Sequence, residues 1–210
     1  MSGRGRFITF EGGEGAGKTT QLGRLLDYLS SRDVPAVATR EPGGTDVGEA
    51  IRGILLDKTL PAMQGDTELL LMFAARVEHV KTLIQPALAD GKWVISDRFV
   101  DASHVYQGAG RGVDEARLSA LEQWCLGDFQ PDLTILLDVP VEVGMERVRQ
   151  RGEKDRFEEE NRAFFQRVRE AYLARASRYP ERFVVVDATQ DEDRVSQLIE
   201  ARVAVWLEAS

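Results

Sequence analysis

The chain has one cysteine, Cys125, among 210 residues. No internal disulfide can form, and a lone thiol suits a reducing compartment, so the cytoplasm is the expected location. Cys125 lies among Leu118, Leu121, Trp124 and Leu126, which predicts a small core residue rather than a reactive thiol. Histidine is scarce as well. His79 and His104 have no partner at metal-ligand spacing, so both are expected to be structural or surface residues. No apolar run approaches the ~20 residues of a membrane-spanning helix. The basic start, Arg4-Gly5-Arg6, leads into no apolar segment long enough for a signal peptide. No membrane partner is expected. An excess of positive charge is also missing: 27 Lys and Arg against 35 Asp and Glu leave a net charge of −8. That argues against general binding to nucleic acid, and any phosphate site must gather its arginines locally. No Gly-x-Ser-x-Gly elbow supports acyl transfer. The single asparagine, Asn161, precedes Arg162, so the Asn-Lys-x-Asp signature expected of a GTP-dependent switch is missing.

What is present is an alternation of strand-like and helical segments. Phe7–Phe10, Ala36–Thr39, Trp93–Ser96, Leu133–Leu137 and Phe183–Val186 read as strands. Helical spacing covers residues near 18–32, 66–90, 114–126, 140–150, 159–178 and 192–206. Apolar strands separated by helices predict one α/β domain over residues 1–210, with a five-stranded parallel sheet covered on both faces. Ligands of such sheets sit beyond the carboxyl ends of the strands. There the chain supplies Glu11, Arg40-Glu41, Asp97-Arg98, Asp138 and Asp187. Acids and arginines recurring at successive strand ends favour a polyphosphate and Mg²⁺ site.

The most specific motif is Gly12-Gly13-Glu14-Gly15-Ala16-Gly17-Lys18-Thr19, which fits the phosphate-loop pattern G-x-x-x-x-G-K-[ST] between a strand and a helix. The glycines let the backbone curl with its N–H groups inward, above a helix N-terminus that favours anions. Lys18 reaches β- and γ-phosphates, and the Thr19 hydroxyl ligates Mg²⁺. Asp97, ending a hydrophobic strand, is the expected second metal contact through water, with Asp138 as a rival. The stretch Arg147-Val148-Arg149-Gln150-Arg151-Gly152-Glu153-Lys154-Asp155-Arg156 gathers basic residues beside a glycine. It predicts a short mobile lid over about 147–158, rather than a solvated helix face, that brings an arginine to a transferring phosphoryl group. Arg40, in Thr39-Arg40-Glu41-Pro42-Gly43-Gly44, is placed to meet a second phosphate. Phe73 and Arg76 share a helix face suited to a base. Tyr106-Gln107-Gly108 adds a ring and an amide in what reads as a flexible loop.

These segments, in this order, resemble the thymidylate kinase family over almost the whole chain, as do Phe10-Glu11-Gly12, Asp97-Arg98-Phe99 and Pro131-Asp132-Leu133-Thr134. The resemblance implies a P-loop NTPase three-layer α/β/α fold. It implies transfer of the ATP γ-phosphoryl to dTMP, with Mg²⁺, by a homodimer. It implies that Glu14 positions the deoxyribose, that Arg40 and Arg98 hold the acceptor phosphate, and that Arg76 and Gln107 read thymine. Tyr106 would crowd the sugar 2′ position, Asp97 would lie near Mg²⁺, and Arg151 would be the lid arginine. Gly15 agrees with the bacterial type, in which the lid rather than this loop supplies the catalytic arginine. Where many relatives carry the base-stacking aromatic, four residues before the arginine, this chain has Met72, with Phe73 one step later.

Overall fold

The computed structural model describes residues 4–152 and 160–208; the side chains of Arg151 and Glu208 lie outside the described set. Five strands form one all-parallel sheet in the order β2-β3-β1-β4-β5. They are β1 Phe7–Glu11, β2 Ala36–Arg40, β3 Trp93–Asp97, β4 Leu133–Asp138 and β5 Phe183–Asp187. Each runs one residue beyond its apolar stretch and takes in the polar residue expected just past it. The backbone ladder does not depend on side-chain polarity. Arg98 N–H still donates to Phe10 O at 2.9 Å, and Glu41 N–H to Asp97 O at 2.9 Å. The register aligns Phe10, Asp97 and Arg40 across three neighbouring strands, so their ends share one edge.

Alternation along the strands divides the core between two faces. Ile8, Phe10, Ile95, Leu133, Ile135 and Leu137 pack with Leu22, Leu25 and Leu29 of α1 (Lys18–Ser30) and with Val195, Ile199 and Val203 of α9 (Glu192–Glu208). Phe7 and Val94 point the other way, onto α3 (Gly65–His79), α4 (Gln85–Ala89) and α6 (Glu115–Leu126). Leu136 meets α8 (Arg162–Arg178) on that side. This face is less apolar than the sequence suggests. It buries Thr9, Glu11, Ser96 and Thr134, with the Thr9 and Thr134 hydroxyls 3.0 Å apart.

The predicted 66–90 helix is interrupted. A π-helical turn, Val80–Ile84, joins α3 to α4, and Pro86 falls in the first turn of α4, where a missing N–H costs little. Two stretches that the periodicity did not mark as helical are helices. α2 spans Asp46–Leu56, capped by Thr45, whose hydroxyl accepts from Gly48 N–H at 3.0 Å. The Pro-Gly-Gly turn before it obscured that start. α5 (Val100–Ser103) continues into a π-helical segment, His104–Gly110, so Tyr106 and Gln107 lie on buried helix instead of a flexible loop. α7 (Val141–Arg151) carries the first half of the basic stretch. The rest of the expected lid, with Lys154, Asp155 and Arg156, lies outside the described residues. No described helix is long and apolar enough to cross a membrane.

Candidate active site

The loop between β1 and α1 is shaped by contacts that exclude side chains. At Gly12, φ is 141° and a Cβ would stand 2.5 Å from Leu137 O. At Gly15 a Cβ would stand 2.1 Å from Gly144 O, so the tip of the loop lies directly against the backbone of α7. Lys18 is buried and arches back, donating to Gly12 O at 3.3 Å and Gly13 O at 3.2 Å. Burial pushes its ammonium pKa down, the neighbouring Arg98 pushes it further, and Glu14 opposes both.

Arg98 follows β3 with φ at 71°, uncommon for a residue other than glycine. Three bonds hold that turn. Its N–H reaches Phe10 O, Ser96 Oγ donates to its carbonyl at 2.7 Å, and Phe99 N–H donates to Glu11 Oε1 at 2.8 Å. The conformation brings the guanidinium over the Tyr106 ring, 4.6 Å from its centroid, and onto Glu14 Oε1 at 2.6 Å. Tyr106 donates to the same oxygen at 2.9 Å. Burial alone would raise the Glu14 carboxyl; the Arg98 and Lys18 charges and the Tyr106 hydroxyl outweigh it and hold its pKa at about 2. Beneath them Glu11 is fully buried, with Tyr172 OH donating to Oε2 at 2.6 Å. Burial first, and then the Asp101 charge, push its pKa up to about 7.

A cavity of about 760 Å³ runs from this loop across the strand ends. Of the predicted residues it is lined by Glu14 to Thr19, Arg40, Arg76, Asp97, Arg98, Tyr106 and Gln107. Arg40 is half exposed and paired with Glu49 at 2.9 Å. Arg76 is buried, donating through Nε to Glu41 at 2.7 Å, through Nη1 to Ser103 Oγ at 3.0 Å and through Nη2 to Phe99 O at 3.2 Å. Gln107 donates to the buried Glu68 at 2.8 Å. Phe73 is not brought to the cavity. It packs in the core with Phe7 and Leu69, behind the Arg76 guanidinium at 4.7 Å, and Met72 lines the cavity in its place. One residue on a helix turns a side chain by about 100°, enough to exchange wall for core.

A cation has a fitting place here. Asp97 Oδ1 is buried with no hydrogen-bond partner among the described residues, and Asp97 and Thr19 line the same cavity. No described cluster of three acids, histidines or cysteines could hold a metal alone. The two residues therefore suit a hard ion that takes most of its oxygens from phosphate and water, as Mg²⁺ does. Asp138, the rival, is engaged by Arg169 at 2.7 and 2.9 Å.

Arg147 and Val148, expected in a mobile lid, instead form the far wall of the cavity together with residues that the sequence did not mark. Arg147 of α7 donates to Gly15 O at 3.3 Å and Ala188 O at 3.1 Å. With Val148, Ala188, Gln190 and Val195 it closes the side beside α1. The one signal was Asp187, a polar strand end just before that turn. Ser103 was missed because nothing local marks it. The helix of Arg151 is described, but its side chain is not.

A glycine loop of the phosphate-binding pattern, facing arginines from the next strands across one cavity, fits a phosphate-loop α/β kinase of small phosphorylated substrates. Likeness to known proteins narrows the class. The family model for thymidylate kinase matches residues 10–199. The thymidylate kinase of Vesicomyosocius okutanii is 54% identical over 93% of this chain and 96% of its own length. That of Alcanivorax borkumensis is 52% identical over 98% of both chains. The crystal structure of thymidylate kinase from Ehrlichia chaffeensis superposes with a TM-score of 0.77 at 32% identity, over 95% of this chain and 99% of that one. This chain belongs to the thymidylate kinase family.

Proposed function

We propose that this protein transfers the γ-phosphoryl group of ATP to the phosphate of dTMP, giving dTDP and ADP. The observation that carries the reading is the continuity of one cavity, from Lys18 and Thr19 through Arg98 to Arg76 and Gln107. It offers a phosphate cradle and a base-sized polar end to two nucleotides at once. ATP lies with its phosphates on the loop and its base toward Arg147 and Ala188. The dTMP phosphate meets Arg40 and Arg98, its sugar meets Glu14 and Tyr106, and its base meets Met72, Arg76 and Gln107.

The chemistry is a direct in-line displacement. An oxygen of the dTMP phosphate attacks the γ-phosphorus, the bond to the β-γ bridging oxygen breaks, and ADP leaves with that electron pair. The attacking oxygen is already anionic, so no general base is needed. The obstacle is repulsion between two anions, and Lys18, Arg40, Arg98 and Arg151 offset it while aligning the reactants. Mg²⁺, held by Thr19 and Asp97, supplies further charge neutralisation on the phosphates when bound. Glu14 stays ionised throughout the neutral range and keeps Arg98 aimed.

Trp124 is 83% exposed on α6 and Leu70 is 59% exposed on α3. These two helices pack together, and their exposed apolar side chains support the reading of a homodimer. The test is ADP release, coupled to a reporter, with dTMP, dUMP and dCMP. We expect dTMP to be preferred, Lys18→Ala to lose transfer, and Arg151→Ala to lose ~10³-fold in kcat with a modest change in KM. Equal rates with dCMP, or a Lys18→Ala variant at the wild-type rate, would overturn the proposal.

A further inference from the structure

His79 and Glu41 are a buried polar pair to which the proposed reaction gives no task. His79 is fully buried. Its Nδ1 lies 3.0 Å from Glu41 Oε1, and its Nε2 lies 2.6 Å from Thr39 Oγ1. A carboxylate only accepts, so Nδ1 carries the hydrogen, and Nε2 pairs with the Thr39 hydroxyl. The other Glu41 oxygen accepts from Arg76 Nε at 2.7 Å. A chain of hydrogen bonds thus runs from Thr39 through His79 and Glu41 to Arg76. Gly44 closes over it: a Cβ there would stand 2.5 Å from His79 Nε2 and 2.6 Å from Thr39 Oγ1. The segment from Thr39 to Gly44 is wrapped around this imidazole.

Stability alone does not account for the arrangement. The Arg76 and Glu41 side chains are 2% and 4% exposed, and a buried ion pair generally holds a fold no better than well-packed apolar residues. Its particular effect is directional. A guanidinium has five N–H donors in a rigid fork. Glu41, Ser103 and Phe99 take three of them, which fixes the plane and the edge presented to the cavity. We propose that Glu41, held in turn by His79 and Thr39, is a positioning residue that aims Arg76 and thereby sets the choice of pyrimidine. This rests on the reading of Arg76 as a base contact. Thymine offers an acceptor, O4, where cytosine offers an amino donor. A fixed guanidinium edge rewards the first and opposes the second; a loosened one discriminates less.

The experiment measures steady-state phosphorylation of dTMP and dCMP by the wild type and by Glu41→Gln, Thr39→Val and Arg76→Ala, with KM for ATP and Tm in parallel. For Glu41→Gln we expect KM for dTMP to rise roughly tenfold, the loss of one charge-assisted bond's worth of orientation. The preference for dTMP over dCMP should narrow, with kcat and KM for ATP within about twofold of wild type. Thr39→Val, which keeps the volume and removes one link, should shift the same two quantities less, and it carries the test if Glu41→Gln does not fold. In an Arg76→Ala background neither change should alter KM or preference further, because both act through that guanidinium. A wild type that prefers dTMP, with variants whose KM and preference are unaltered, overturns the Glu41 assignment alone. So does a fall confined to kcat or Tm. A wild type indifferent between dTMP and dCMP overturns the underlying reading of Arg76.

Discussion

Replacing Gly144 by alanine tests how the phosphate loop is held. Gly144 lies in the first turns of α7, and an added Cβ would stand 2.4 Å from Glu14 O, where ordinary contact begins at 3.4 Å. About 1 Å of separation must be found, and the obstructing atom is backbone, so no side chain can rotate away. Two effects oppose each other. Alanine favours the helix over glycine by ~0.5–1 kcal/mol. Overpacking costs ~1–3 kcal/mol. The clash therefore wins narrowly on stability, and Tm falls by a few degrees. Activity suffers more. If the loop gives way, Glu14 loses its bonds of 2.6 Å to Arg98 and 2.9 Å to Tyr106. A misplacement of ~1 Å costs on the order of 10²-fold in rate. We expect kcat/KM for dTMP to fall about 100-fold by that rule, in an ADP-release assay run beside thermal denaturation. A variant with wild-type kcat/KM and a raised Tm would refute the reasoning, because only the helix gain would then be acting.

Burial pushes the Glu11 carboxyl up to about 7 in the folded chain, against an ordinary 4.5. Between those pH values the folded chain binds more protons than the unfolded one, so this residue lowers stability as pH rises from about 4.5 to 7 and adds no slope above that. Glu11→Gln should flatten that decline in denaturant titrations at pH 5 and pH 8; an unchanged slope sinks the assignment. Asp101 is fully buried between Arg175 at 2.7 Å and Arg182 at 2.5 Å. Asp101→Asn should cost ~3–5 kcal/mol by urea denaturation, and a loss below 1 kcal/mol would show that the pair is dispensable. Trp124→Glu places a charge on the exposed face of α6 and should shift sedimentation toward monomer; an undisturbed dimer would move the interface elsewhere.

The five strands were legible because each pairs a short apolar run with a polar end, and so was the phosphate loop, whose glycines and lysine are contiguous. α2 and the helical stretch after β3 were not. Their glycine- and proline-containing flanks read as turns, and their helicity comes from packing: Leu55 of α2, and Val105 and Tyr106 beyond α5, are all buried in one cluster. The exchange of Phe73 for Met72 on the cavity wall was signalled only by Met72 standing four residues before Arg76; the packing of α3 decided it.

From its order of residues alone, then, this protein has its parallel sheet, its phosphate cradle, the arginines at its strand ends and its likeness to thymidylate kinases. Each is either a local pattern or a set of such patterns in a fixed order. Only the tertiary structure decides that Arg98 turns through a left-handed conformation onto Glu14, that Gly144 braces the loop, and that Thr39, His79, Glu41 and Arg76 form one chain of bonds. Those contacts join residues 35 to 130 positions apart. No local pattern encodes a partner at such a distance; the sheet order and the packing of helices upon it do.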